Sequence, residues 1–372
     1  MENPKIRFKG FTKDWEQRKL GEVFEFQYGE FNNNPDNGGE YPIYGANGII
    51  GGYTDWNAEN SSIIGHMGAY AGYVVWGEGK HFVTYNGTIA RPKDNSIDSK
   101  YGYYLLDSKK IYKICAGSGQ PFVSYSDLNG IDILLPKDKD EQRVLAYYFT
   151  NLDHLITLHQ RKCEQTKKLK KYMLQKMFPQ NGAKVPEIRF DGFTYDWEQR
   201  KLGDVFKEYS EKNHTELSAL TIIQGGGTVK REDSDRNLMY DTSNLSNYKM
   251  VRKDDFIVHL RSFEGGLEKS SLDGIISPAY HTFHSDMADS RFYYPYFRSY
   301  EFIKHKLVSH VYGIRDGRSI DIDGMKTIEI PYTSIEEQRK IGDYLDCLDH
   351  LITLHQRQTD FYKKPNFYFI SS

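Results

Sequence analysis

The chain contains two copies of one opening segment and two copies of one closing segment, separated by regions that differ. Residues 14–21 (Asp-Trp-Glu-Gln-Arg-Lys-Leu-Gly) recur unchanged as 196–203, and residues 152–161 (Leu-Asp-His-Leu-Ile-Thr-Leu-His-Gln-Arg) recur unchanged as 348–357. The order is therefore constant, variable, constant, and it occurs twice. A chain of this kind must fold as a duplicated frame that holds two different inserts, which suits two-part recognition.

Length and composition limit the class of protein. The 372 residues predict two or three domains, and each half is long enough for its own core. A content of 15% aromatic residues with 32 glycines favours β-rich domains with many turns. The net charge of −2 gives no global basic field for nucleic acid, although only a local patch matters for contact. The three cysteines have no metal-binding spacing, and no apolar run has signal or membrane length. We therefore expect reduced thiols and a cytoplasmic location.

The two variable regions, roughly 28–130 and 210–324, share a hydrophobic pattern that indicates one fold used twice. In the first region, Asn-Gly and Gly-Gly turn signals separate short runs of β-forming residues, which predicts a mostly-β domain with a few helices. Three segments of the first region can be laid over three of the second: 64–72 over 257–265, 98–101 over 289–292, and 130–136 over 324–331.

Each half ends in a predicted long helix that begins at a Glu-Gln-Arg triplet. Apolar residues then follow a 4-3 rhythm, which is typical of a coiled-coil seam. The predicted seam residues are Leu145, Tyr148, Leu152, Leu155 and His159 in the first helix, and Ile341, Tyr344, Leu348, Leu351 and His355 in the second. The two histidines are either a pH-sensitive pair or polar positions that set the register. The fold class is thus α+β, with a pseudo-twofold internal repeat.

Several weaker patterns suggest chemistry without establishing it. His281, His284, Asp286 and Asp289 lie close in sequence, but strand alternation places the two histidines on opposite faces and argues against a metal site. Pro35-Asp36 with Glu78-Gly79-Lys80 imitates a nuclease pattern, yet the first pair sits in a turn-like run. The basic stretch 161–176 is a solvated helix face, a phosphate contact or a docking site for an acidic partner. The chain shows no convincing catalytic centre.

The ordered set of repeated motifs resembles the specificity subunit of a type I restriction–modification system. It consists of the two openings, the Leu135-Pro136 and Ile330-Pro331 exits before each Glu-Gln-Arg helix, and the phrases at 41–51 and 277–280. The resemblance implies two target-recognition domains, each reading half of a bipartite double-stranded DNA target. It also implies two spacer helices that pair as an antiparallel coiled coil and set the distance between half-sites.

The same resemblance implies partners and a division of labour in defence against foreign DNA. Two modification subunits would methylate adenine, and restriction subunits would cut DNA. S-adenosylmethionine, ATP and Mg would belong to those subunits, so this chain would hold no cofactor and would not be an enzyme. The implied segments are a first recognition domain at 1–137, a first spacer helix at 138–180, a second domain at 181–331, and a second helix with its tail at 332–372.

Base readout needs donors and acceptors on loops that reach a groove. The predicted DNA-binding residues of the first domain are His66, Tyr70, Lys80, His81, Tyr85, Asn86, Gln120 and Ser124. Those of the second domain are Arg261, Ser262, Lys269, Arg315 and Arg318. Each could equally be a surface polar residue that never meets DNA. Segments 117–120 and 313–318 are favoured because glycine permits close approach and Gln or Arg can make bidentate base contacts.

One departure from the repeat concerns the end of the chain. After Arg357 the heptad rhythm stops, and Pro365 cannot continue a helix interior. The sequence therefore predicts that the second helix ends near 364 and leaves the far end of the first with less partner. Two other classes remain open: a nuclease or methyltransferase with an unfamiliar site, and a duplicated protein-binding scaffold.

Overall fold

The computed structural model describes residues 4, 6–31, 36–115, 119–180, 182–234, 242–259, 261–313 and 319–363. The chain divides into unit 1, residues 1–161 with 356–372, and unit 2, residues 162–355. Both divisions fall inside long helices, which span residues 139–176 and 335–363. None of the helices in the described ranges is long and apolar enough to cross a membrane.

Unit 1 is a β-rich domain with short helices and the first part of one long helix. Its strands are β1 (Glu16–Lys19), β2 (Phe24–Tyr28), β3 (Tyr41–Gly45), β4 (Gly48–Tyr53), β5 (Ala58–Gly65), β6 (Val74–Val83), β7 (Gly87–Pro92) and β8 (Asp132–Leu135). Its helices are α1 (Leu20–Val23), α2 (Ser99–Ser108), α3 (Tyr125–Gly130) and the beginning of α4 (Lys139–Lys176). Six strands form one sheet in the order β2-β7-β5-β6-β3-β4, and β1 pairs with β8. The predicted Asn-Gly turns at 47–48 and 86–87 lie at the β3–β4 and β6–β7 connections.

Unit 2 has more and shorter strands. They are β9 (Glu198–Lys201), β10 (Lys207–Tyr209), β11 (Leu220–Ile223), β12 (Gly227–Lys230), β13 (Lys249–Val251), β14 (Phe256–Val258), β15 (Glu268–Lys269), β16 (Gly274–Ile276), β17 (His281–His284), β18 (Val311–Tyr312), β19 (Ser319–Ile320) and β20 (Glu329–Tyr332). Its helices are α5 (Leu202–Val205), α6 (Ser262–Gly265), α7 (Ser290–Phe297), α8 (Ile322–Lys326) and most of α9 (Ile335–Lys363). The four-stranded sheet has the order β10-β17-β14-β15.

The two units repeat one arrangement. The order β2-β7-β5-β6 in unit 1 matches β10-β17-β14-β15 in unit 2, and β1–β8 matches β9–β20. Asp98 and Asp289 occupy the same position, because each side chain caps the helix that follows it by accepting backbone N–H bonds. The prediction that the variable regions share one fold is therefore confirmed.

A buried carboxylate at the start of each long helix holds the frame together. Glu141 accepts hydrogen bonds from Arg7 Nε (2.6 Å) and Nη2 (2.7 Å) and from Trp15 Nε1 (3.3 Å). Glu337 accepts the same set from Arg189 and Trp197. The adjacent glutamines bind the backbone N–H of Asp98 and of Asp289 in turn. The repeated opening and the Glu-Gln-Arg triplet thus form one structural unit in each domain, a pairing that the sequence did not reveal.

The long helices α4 and α9 pair in antiparallel fashion. Within unit 2, Cys163 contacts the Ile352 carbonyl, and Lys170, further along α4, pairs with Asp349, which comes earlier on α9. Within unit 1, His159 stacks on Tyr362 near the end of α9. The last described residue of α9, Lys363, therefore lies near the middle of α4. Because the helices run in opposite directions, the N-terminal part of α4 extends beyond α9, and its C-terminal end does not.

The first predicted seam residues of each helix pack in the domain cores and not between the two helices. Leu145 and Leu152 belong to the unit 1 core, and Ile341 belongs to the unit 2 core. Tyr148 packs edge-on against Phe8, and Tyr344 against Phe190. The remaining seam positions Leu155, His159 and His355 are half-buried, Leu348 is buried and Leu351 is exposed. The heptad pattern marks the apolar face of each helix, but in the first turns this face packs against the domain core and not against the other helix.

Candidate nucleic-acid interface

Several residues predicted to bind DNA in the first domain lie around the end of β5. The backbone N–H of His66 donates to the Asn86 carbonyl at 2.8 Å, which places the end of β5 beside the β6–β7 turn and its neighbour Tyr85. Gly68, in the turn that carries Tyr70, donates to the Pro121 carbonyl at 2.8 Å, next to Gln120. Three chain segments thus form one edge, which contains most of the predicted residues of this domain.

Tyrosines that the sequence reasoning missed extend this edge. Tyr28 stacks on Tyr125 at a centroid distance of 4.1 Å and contacts the His66 ring at 4.2 Å. Tyr73 stacks on Tyr112 at 4.9 Å. Since Tyr28, Tyr73 and Tyr112 are each at least 36% exposed, the rings form an exposed aromatic surface of the kind that marks interaction sites. The abundance of tyrosine was visible in the sequence, but their grouping at one edge requires the fold.

Three predicted residues of the first domain have other roles. His81 is fully buried and contacts Ser61 Oγ (3.0 Å) and the Gly79 carbonyl (2.8 Å), so its ring is not presented at the surface where DNA could bind. Burial lowers its pKa. The Ser124 hydroxyl caps α3 through Asp127 and is already engaged. Lys80 lies opposite Glu59 in the β5–β6 register, at the other end of β5 from His66, and its ammonium lies over the Trp56 ring at 4.4 Å.

The second domain keeps fewer of its predicted residues at the corresponding edge. Arg261 is exposed directly after β14, at the start of α6. Ser262 is fully buried and its hydroxyl accepts the His259 backbone N–H at 2.9 Å, so it too is not presented at the surface. Lys269 pairs with Asp254 at 2.9 Å. Arg315 and Arg318 lie outside the described residues, as do Gly117 and Ser118 of the favoured segment 117–120.

Equivalent histidines follow β5 and β14 and differ in hydrogen-bond character. His66 Nδ1 lies 3.2 Å from the Val123 carbonyl, which can only accept, so Nδ1 carries a proton. His259 Nδ1 accepts the Arg261 backbone N–H at 3.3 Å. Burial, with nearby Arg298 and Arg261, lowers the pKa of His259 to about 4, so the ring is neutral at pH 7 and its proton lies on Nε2. In the neutral form, the two Nε2 atoms are therefore an acceptor in His66 and a donor in His259.

A buried carboxylate fixes the tip of the β11–β12 hairpin in the second domain. Glu268 is fully buried and accepts the Gly225 backbone N–H at 2.7 Å and the Tyr294 hydroxyl at 2.8 Å, and it also pairs with Arg298. Gln224, next to Gly225, is exposed. A buried charge held by several donors rigidifies its surroundings. The glycines at 225–227 therefore belong to a positioned turn.

The acidic residues and histidines of the weak metal and nuclease patterns make structural contacts. His281 binds Glu208 at 2.7 Å, whereas His284 binds Asp255 and Asp286. Asp36 accepts backbone N–H bonds from Gly38 and Gly52 beside the β3–β4 hairpin. Across the described ranges, no three His, Cys, Asp or Glu side chains are placed to hold a metal ion. In the basic stretch, Lys167, Lys170 and Lys176 are paired with acids.

Comparison with known proteins identifies this architecture. The family model described as the type I restriction modification DNA specificity domain matches residues 12–168 and 195–360. The chain is 26% identical over 329 residues to the type I restriction enzyme MjaVIII specificity subunit of Methanocaldococcus jannaschii, covering 82% of this chain and 76% of the relative. It is 27% identical over 219 residues to a putative type I specificity subunit of Mycoplasma pneumoniae, covering 56% of this chain and 57% of that one.

A solved structure shows the same fold. The crystal structure of the S subunit of a type I restriction–modification system from M. genitalium superimposes with a TM-score of 0.65 at 16% identity, covering 98% of this chain and 97% of that one. The family model matches both halves of the chain separately, as the duplicated frame requires. The chain therefore belongs to the family of type I restriction–modification DNA specificity subunits.

Proposed function

We propose that the chain reads a bipartite DNA sequence, with one half-site for each recognition domain. A type I specificity subunit recognises DNA for its restriction–modification complex and has no catalytic centre of its own. The observation that supports the bipartite reading is that the same four-stranded arrangement carries different edge residues in the two units. One frame with two dissimilar edges suits two dissimilar half-sites. The paired helices α4 and α9 would set the spacing between them.

The repeated helix segment supports docking of two identical modification subunits. Its two copies expose the same side chains: His154, Thr157 and Leu158 in α4, and His350, Thr353 and Leu354 in α9. Because the exposed residues are identical, one partner surface fits both copies. These subunits would methylate adenine, and restriction subunits would join them to cut DNA. S-adenosylmethionine, ATP and Mg would bind to those partners.

Exchange of one variable region tests the bipartite reading. Residues 28–130 would be replaced by the corresponding region of another specificity subunit, and the chimera would be assembled with type I modification subunits. Sequencing of methylated sites should show one half-site changed and the other retained. A chimera that changes both half-sites, or neither, would refute the assignment of one half-site to each domain.

A further inference from the structure

Hairpins β3–β4 and β11–β12 occupy equivalent places in the two domains. Each hairpin follows the first strand of the shared sheet, β2 or β10. Strand β3 pairs with β6, and β12 is bound to the residues after β15 through Thr228 Oγ1, which accepts the Ser271 N–H at 2.9 Å. Because β6 and β15 are equivalent, the two hairpins stand beside the same strand of the common fold.

The tip of each hairpin approaches the segment that carries the candidate DNA-binding residues. A Cβ placed on Gly65 would lie 3.1 Å from the Ala46 carbonyl, and one placed on Gly265 would overlap Gln224 Nε2, so the Gln224 amide lies beside Gly265. Gly65 precedes His66, and Gly265 ends the short helix that begins after Arg261. In each domain, therefore, the hairpin tip and the candidate edge form one continuous surface.

Each tip presents an exposed carboxamide that the turn does not require. Asn47 and Gln224 are both exposed, and neither adopts a positive φ. The unusual backbone belongs to their neighbours Gly48 (φ 101°) and Gly225 (φ 78°), where glycine suffices. The side chain of neither residue is engaged in a hydrogen bond to any other described residue. Both amides are thus available to a ligand that approaches the edge.

We propose that Asn47 and Gln224 each read one adenine, one in each half-site. A carboxamide matches the major-groove edge of adenine, because its oxygen accepts from N6–H while its NH₂ group donates to N7. This inference rests on the proposed bipartite reading and adds which base each domain selects. The fixed Gly225 turn would position Gln224 through Glu268, and the β3–β6 pairing would position Asn47.

Selection from a pool of duplexes with randomised sequence tests the inference. The full chain, assembled with type I modification subunits, would be compared with Asn47→Ala and Gln224→Ala. Each variant should lose about 10- to 100-fold of its preference for adenine at one position of one half-site. The other half-site should stay unchanged. Gln224→Glu should shift that position toward cytosine, whose N4 amino group donates to a carboxylate.

Matched controls separate base reading from a structural role. Asn95→Ala and Gln199→Ala remove exposed carboxamides outside the hairpins and should leave both half-sites intact. Replacing the selected adenine by 7-deaza-adenine removes the N7 acceptor. This should weaken binding of the unmodified protein but not weaken the matching alanine variant further.

The outcomes distinguish this inference from the function on which it rests. If the unmodified complex selects a bipartite sequence and both alanine variants keep every base preference, the adenine contacts are refuted while bipartite reading stands. Continued sensitivity of the alanine variants to 7-deaza-adenine would likewise overturn the inference. If the unmodified complex selects no bipartite sequence, the proposed function fails and this inference fails with it.

Discussion

The buried carboxylate at the start of each long helix should control the stability of its own unit. Glu337 is 1% exposed and accepts hydrogen bonds from Arg189 (2.7 and 2.8 Å), from Trp197 (3.0 Å) and from Thr333. Glu337→Gln removes the charge and leaves Arg189, whose side chain is 13% exposed, without a counterion. Removing one partner of a buried pair costs about 3–5 kcal/mol. Since Gln keeps one acceptor oxygen, we expect about 3 kcal/mol for unit 2.

The repeat offers an equivalent substitution in unit 1, Glu141→Gln, for which we expect a smaller loss of stability. Glu141 is equally buried and binds Arg7 and Trp15. Lys137 stands where the second copy has Thr333, so no hydroxyl supports Glu141 from that position. We therefore expect Glu141→Gln to destabilise unit 1 by about 1 kcal/mol less than Glu337→Gln destabilises unit 2, the difference being one hydrogen bond.

Hydrogen exchange of the full chain in increasing denaturant measures both effects, because peptides report on each unit separately. Glu337→Gln should lower the opening free energy in peptides from unit 2 and leave those from unit 1 unchanged, and Glu141→Gln should do the reverse. The exposed neighbours provide controls: Glu336→Gln and Asp140→Asn should each shift stability by no more than about 0.5 kcal/mol. Equal loss in both units, or a loss no larger than in the controls, would refute the reasoning.

Three further predictions follow from individual contacts. The hydrogen bond to Asp255 raises the pKa of His284, so this stabilisation of unit 2 is complete below about pH 6.5 and is lost as the pH rises through the raised folded value. Thermal melting of His284→Gln should lack that decline, and an unaltered pH profile would count against it. Leu158→Glu and Leu354→Glu, on the repeated exposed face, should each reduce the bound modification subunits from two to one by native mass spectrometry; two retained subunits in both variants would exclude this docking surface. His81→Ala should lower the melting temperature by leaving Ser61 unpaired but should keep the base preferences of the assembled complex, and a changed base preference would restore His81 as a reader.

The duplicated frame could be predicted from the sequence because a repeated segment indicates residues with the same structural role in both domains. The overlay of 64–72 on 257–265 aligned the ends of the equivalent strands β5 and β14, since a strand buried in a sheet keeps its apolar residues while exposed loops change. The function also followed from the repeat, because its ordered motifs are specific. The contact of Arg7 with Glu141 did not follow, since 134 residues separate the partners and nothing in either local pattern links them.

The candidate site was predicted less well because polarity does not determine exposure. The polarity of His81 suggests a surface position, yet its ring contacts the Ser61 hydroxyl of β5 and is fully buried. Ser262 is likewise polar but buried, because its hydroxyl accepts the backbone N–H of His259. Conversely, Gln224 was overlooked because its turn forms from a separate two-stranded sheet that only the folded chain brings beside α6.

The groups that remain at the two edges indicate how recognition is divided between this chain and its partners. In the first domain they are mostly neutral: a histidine, tyrosines and carboxamides. Such groups distinguish bases but neutralise no phosphate, and phosphate contacts supply most of the salt-dependent affinity of DNA-binding proteins. Several lysines of the basic stretch are already paired with acids, and the net charge is −2. The described groups at the edge of the first domain thus suit base discrimination better than phosphate neutralisation. That division suits a subunit that acts inside a complex, because a partner that holds the phosphates allows the edges to differ freely without loss of affinity.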